Sequence, residues 1–193
     1  MKEELILKKL PDGVFSVRDL MKDEITRYQL SLLEKDGLIE KAGHGLYRKV
    51  QKSKGNGFDT SGFEKAYAVS DKEGYICLWS ALYYYDLTEE FVEDAWVMVP
   101  YGKIIRREGI KCVRTREGDW EHGIIESHGF KISSLERTLI DCFLSKRNIA
   151  LKDAITTTRL AIKSKKTTLQ KIVRLATEMG TLSQLKEKLE LVS

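Results

Sequence analysis

The chain has 193 residues and a mass of 22.1 kDa, with 42% apolar and 32% charged residues. That length fits one large domain or two small ones and excludes a repeat array; the apolar share excludes a wholly disordered chain. The net charge of +4, with a pI near 8.8, is too small a surplus to name a partner by itself.

The first 50 residues read as three short helices and a hairpin. Lys2 to Leu10 suits a helix that Pro11-Asp12-Gly13 stops. Ser16-Val17-Arg18-Asp19 is a capping pattern that opens a second helix, Val17 to Lys22. A third begins at Thr26, where Thr26 and Gln29 form a capping box. Ile25 and Leu30 supply its hydrophobic staple, and Gly37 stands at the C′ position. Two short alternating runs, 38–41 and 46–50, flank Ala42-Gly43-His44-Gly45 and predict a hairpin. This order is that of a winged helix-turn-helix over residues 1–50.

Residues 51–62, QKSKGNGFDTSG, are polar and rich in Gly and Ser, as a linker is. Residues 63–193 then form a second, larger α+β domain ending in helices. Helices are expected over Phe63–Ser70 and Cys77–Asp86. Strands are expected over Asp94–Val99, Ile110–Arg114 and His128–Ile132. Three more capping boxes are read at Ser133/Glu136, Thr167/Gln170 and Thr181/Gln184, with Gly180 as the stop before the last. No internal repeat or low-complexity tract occurs.

Charge is unevenly spread. Residues 58–100 carry a net −7, residues 101–116 a net +5, and residues 146–174 a net +8. Lys41 to Lys54 holds five cations and no anion. Clustered cations are what a phosphate backbone attracts, although a single charge run is commonly just a solvated face.

In a helix-turn-helix the second helix of the pair enters the major groove by its N-terminal residues. Here that helix starts at Thr26. Leu30 and Leu33 must face inward, which leaves Tyr28, Ser31 and Lys35 on the opposite face with Arg27 beside them. Arg27 suits a bidentate bond to guanine, Ser31 a base edge, Tyr28 a phosphate or thymine methyl, and Lys35 a phosphate. The wing offers Lys41, His44, Arg48 and Lys49, and Gly43 and Gly45 let its tip approach a sugar-phosphate chain. Asp19, Asp23 and Glu24 oppose nucleic-acid contact unless they serve the helix N-termini. A unit that only binds protein remains the alternative, although a basic run is untypical of a protein interface.

Four stretches resemble the AbiE-type abortive-infection antitoxins, the regulatory half of a type IV toxin–antitoxin pair. They are G43-H-G-L-Y-R48, C77-L-W-S-A-L-Y-Y-Y-D-L87, V97-M-V-P-Y-G102 and S133-S-L-E-R-T-L-I-D141, in the family's order. The resemblance implies an autorepressor that binds inverted repeats in its own promoter through the N-terminal domain; since most such readers cover two half-sites, a dimer or two monomers on one repeat is expected. It also implies a C-terminal domain that counters a partner toxin of nucleotidyltransferase fold, and no enzymatic activity. Residues 146–193 carry no matching motif. Within the fourth stretch, Arg137 and Asp141 read as an i,i+4 ion pair. A winged-helix adaptor, or a regulator without a toxin, is the rival reading.

An enzyme is the weakest reading. His122 and His128, with Glu121 and Glu126 nearby, are the conceivable catalytic or metal-binding group, but no HExxH, GxGxxG, Walker A or GxSxG motif occurs. Cys77, Cys112 and Cys142 are widely spaced and lack a CxxC, so no disulfide framework or zinc site is expected, and a reducing cytosol fits. No cofactor or metal is called for. No apolar run approaches the roughly 20 residues of a membrane helix, and MKEELILKKLPDG does not read as a signal peptide. Tyr83-Tyr84-Tyr85 and Trp79 are expected in packing rather than as a base-stacking platform. Arg159, Lys163, Lys165, Lys166, Lys171 and Arg174 form a second basic patch for DNA, RNA or an acidic partner.

Overall fold

The computed structural model describes residues 2–22, 25–50, 60–89, 92–115, 120 and 122–192. The first part runs α1 (Lys2–Lys9), β1 (Val14–Ser16), α2 (Val17–Lys22), α3 (Arg27–Lys35), β2 (Ile39–Gly43) and β3 (Leu46–Lys49). Leu10, Phe15, Leu20, Ile25, Leu30, Leu33 and Ile39 are buried together and draw the three helices onto the strands. Each such side chain contributes about 1.5–3 kcal/mol on leaving water.

β1 was not foreseen. It pairs antiparallel with β3, through Val14–Arg48, Phe15–Tyr47 and Ser16–Leu46, so the hairpin becomes a three-stranded sheet in the order β1-β3-β2. Three residues are too few to show an alternation; the pairing itself makes the strand. The α3 capping box forms as the sequence predicts: Gln29 N–H donates to Thr26 Oγ1 at 3.3 Å, and Thr26 N–H to Gln29 Oε1 at 2.8 Å. At the other end Gly37 N–H donates to the Glu34 carbonyl and Leu38 N–H to that of Leu33, closing the helix with a Schellman turn.

The second part runs α4 (Ser61–Val69), β4 (Tyr75–Ile76), α5 (Leu78–Tyr84), β5 (Ala95–Pro100), β6 (Ile110–Thr115), β7 (Ile124–Ser127), β8 (Phe130–Ser133), α6 (Leu135–Leu144), α7 (Leu151–Lys163), α8 (Leu169–Glu178) and α9 (Leu182–Glu190). Of the expected linker 51–62, residues 51–59 lie outside the described residues, whereas Ser61 and Gly62 already belong to α4. The mixed sheet has the order β6-β5-β4-β8-β7, with β5/β6 and β4/β8 parallel and the other pairs antiparallel. β5 is an interior strand covered on both faces, which is why AWVMV reads as a continuous apolar run. Val97 and Val99 face a core shared with Phe63 and Tyr67 of α4, while Met98 faces the core of α6, α8 and α9.

Several local expectations shift. β8 begins at Phe130, not His128, because His128 (φ 47°) and Gly129 (φ 84°) form the tight β7–β8 turn. The N-cap of α6 is Ser134, whose hydroxyl accepts from Arg137 N–H at 3.2 Å, so the Ser133/Glu136 box does not form. Ser133 is buried and bonds Thr138 Oγ1 at 2.7 Å instead. Likewise Thr168, not Thr167, caps α8. Thr167 is buried and donates to Glu136 at 2.6 Å. Thr181 makes no side-chain cap bond.

The two parts touch. Val14 and Leu46 of the first sheet bury against Ala68 of α4. Nearby, the backbones at Gly13 and Gly129, both at positive φ, meet so closely that a Cβ on Gly129 would lie 2.8 Å from the Asp12 carbonyl oxygen and from Gly13 Cα. No side chain fits at that seam. Among the described residues no helix is long and apolar enough to cross a membrane.

Candidate nucleic-acid interface

α3 presents the face that its sequence periodicity predicts. Leu30 and Leu33 are 1% and 0% exposed, whereas Tyr28 is 72% exposed. Thr26, Arg27, Ser31 and Lys35 are exposed with it. Ser31 donates its hydroxyl proton to the Tyr28 carbonyl at 2.8 Å, so toward a ligand it offers lone pairs only. Lys35 sits in the last turn, where it also favours the negative helix end.

The β2–β3 turn stands next to the start of this helix. Arg27, Lys41, His44 and the backbone of Gly43 and Gly45 line one cleft of about 770 Å³, floored by Val17, Leu30 and Tyr47. A register shift between Lys41 and Gly43 kinks β2 just before the turn. The cleft can take a phosphate chain along its cationic rim while the α3 side chains reach outward.

Three cations of this part have partners the sequence did not disclose. Arg48 faces Glu40 across the ladder and donates to its carboxylate. Lys49 donates to Asp12 at 3.0 Å, and Lys41 lies 4.0 Å from Glu34. These exposed pairs are each worth about 0–1 kcal/mol, so a phosphate replaces such a carboxylate at little cost. The side chains of Asp19, Asp23 and Glu24 lie outside the described residues.

Three of the six cations of the second basic patch have partners within the fold. Arg159 donates to the Leu191 and Val192 carbonyls beyond α9. Lys166 caps the end of α5 through the Tyr85 and Asp86 carbonyls at 2.6 and 3.1 Å, and reaches the Asp86 carboxylate. Arg174 pairs with Glu178 at 2.9 Å. Lys163, Lys165 and Lys171 are exposed.

Arg137 and Asp141 do more than pair along a helix. Both are buried. Arg137 Nε donates to Asp141 Oδ1 at 2.9 Å, Nη1 to the His122 carbonyl at 2.7 Å, and Nη2 to the Tyr75 hydroxyl at 3.0 Å. Tyr75 in turn lies 3.3 Å from Asp141 Oδ2. Burial first, then the Asp141 charge, pushes the Tyr75 hydroxyl well above the usual tyrosine range, so it stays protonated and donates. The cluster joins β4, the turn before β7 and α6.

The residues of the enzyme reading do not converge. His122 and His128 stand beyond opposite ends of β7, whose four residues span about 10 Å. Glu121 lies outside the described residues. Among the described residues no group of His, Cys, Asp and Glu is placed to hold a metal ion. Cys77 and Cys142 are buried thiols, each pushed up chiefly by burial and further by Asp141. Tyr85 donates to the Ser133 carbonyl, Tyr84 bonds Ser127, and Tyr83 and Trp79 pack against the two cores.

Residues 6–48 match the family of AbiEi antitoxin transcriptional regulators. The AbiEi match is the family that the sequence resembles, and it takes in the whole of α3 and the β2–β3 turn. The first of the four resembling stretches lies inside the AbiEi match; the other three lie beyond it. No curated protein matches the chain.

Proposed function

We propose that residues 1–50 form a winged helix-turn-helix that reads operator DNA, and that the protein is the antitoxin and autorepressor of a type IV toxin–antitoxin operon. The observation that carries this reading is the free α3 face, Arg27, Tyr28 and Ser31, standing beside the Gly-rich β2–β3 turn inside the AbiEi-matched segment. α3 enters the major groove, and Lys41 and His44 lie over the neighbouring backbone. Arg48 and Lys49 exchange their carboxylates for phosphates on binding. Two copies occupy an inverted repeat, as a dimer or as two monomers, and residues 63–193 oppose a nucleotidyltransferase-like toxin. The protein acts through binding, not as an enzyme.

The test is binding to its own upstream DNA at two salt concentrations. Arg27→Ala is expected to weaken operator binding by about 1–3 kcal/mol and to relax sequence preference. Lys41→Ala is expected to weaken all sequences alike and flatten the salt dependence. Equal loss on operator and random DNA for Arg27→Ala would contradict the reading. Co-expression with the neighbouring gene, scored for growth rescue, tests the antitoxin half. The rival, an adaptor that never reads DNA, gains from the self-pairing of Arg48 and Lys49 and expects no binding at either salt.

A further inference from the structure

The net +5 of residues 101–116 takes no part in the α3 surface. β6 is an edge strand, and a cleft of about 930 Å³ lies between β5, β6, the end of α6 and the start of α9. Its rim carries Arg114 from β6 and Lys146 and Arg147 from the turn after α6. Among the described residues none of these three has a carboxylate partner. Its floor reaches the Arg137–Asp141 pair, which is neutral as a unit, and among the described residues of the lining Asp141 is the only acid. The Lys188 ammonium is lowered below the usual lysine range, first by burial and then by Lys146 beside it.

The cleft has more than charge. Arg114 lies over the Tyr101 ring, 5.1 Å from its centroid, and that ring is 46% exposed at the mouth. Asn148 and Gln184 add amide donors and acceptors to the wall. Three cations, a flat aromatic beside Arg114 and two amide side chains match a phosphate tail attached to a planar, hydrogen-bonding ring. The volume falls within the range of about 300–1,000 Å³ usual for small-ligand sites.

We propose that this cleft is a binding site for a mononucleotide, with Arg114, Lys146 and Arg147 holding the phosphates and Tyr101 the base. The site is separate from the DNA-reading surface. The test uses the full chain in equilibrium dialysis or calorimetry with ATP, inorganic triphosphate and adenosine. ATP is expected to bind, triphosphate to compete with it, and adenosine to bind at least tenfold more weakly. Arg114→Gln and Lys146→Gln are each expected to weaken ATP at least tenfold while leaving the melting temperature and operator binding unchanged. Arg27→Ala is expected to leave ATP binding unchanged. Absence of ATP binding to millimolar concentration overturns the proposal. So does equal ATP affinity in the Arg114 and Lys146 variants, or single-stranded RNA binding that depends on these residues where ATP does not bind.

Discussion

Helices α6 and α8 each carry an arginine four residues ahead of an acid, and the two pairs differ in kind. In α6, Arg137 and Asp141 are 3% and 6% exposed, and the arginine is shared among a carboxylate, a carbonyl and a hydroxyl. In α8, Arg174 and Glu178 are 82% and 42% exposed and, among the described residues, are hydrogen-bonded to each other. The spacing is the same and the distance is the same, 2.9 Å. What differs is water. Solvent screens the outer pair and leaves it nearly neutral in energy, whereas the inner pair has given up its hydration and depends on every remaining partner.

The largest effect is expected from unpairing the inner site. Arg137→Met leaves Asp141 buried without its cation and should lower stability by about 3–5 kcal/mol in urea unfolding. The double change Arg137→Met with Asp141→Leu should cost much less than either single change, because no lone charge is left behind. A double cost equal to the sum of the singles would break the contrast drawn here. Next comes Gly123, whose φ is +69° and where a Cβ would lie 2.8 Å from the Arg137 Cβ. Gly123→Ala should cost about 1–3 kcal/mol by straining the backbone against that arginine. Thr26→Ala removes the α3 cap and should cost about 1 kcal/mol, with DNA affinity falling alongside as the helix start frays. The smallest effect belongs to the outer pair: Arg174→Ala should change stability by no more than about 0.5 kcal/mol, and added salt should erase even that.

The same division between exposed and buried decides what could be read in advance. The α3 cap, its staple and its free face are local, so Thr26, Gln29, Ile25 and the 3.6-residue period sufficed. At Ser133-Ser134 and Thr167-Thr168 two adjacent hydroxyls compete to cap one helix. The choice is made by burial: the first of each pair is taken by a distant partner, Thr138 or Glu136. β1, β4 and β7 have three, two and four residues and are strands only because a neighbour pairs with them. Cations were countable but their partners were not. Lys49 meets Asp12, and Lys166 meets Asp86, across 37 and 80 positions of chain. The same blindness hid the β6 cleft, whose rim joins two charge runs that are some thirty residues apart in the sequence.

The bare meeting of Gly13 and Gly129 has a mechanical outcome. With no side chain to act as a bearing between them, and with Val14 and Leu46 lodged against α4, the front of the molecule has little room to swivel on the back. Two copies set on facing half-sites would therefore carry their rear portions at a fixed bearing, and the gap between the half-sites would be dictated by how those bulky ends clear one another.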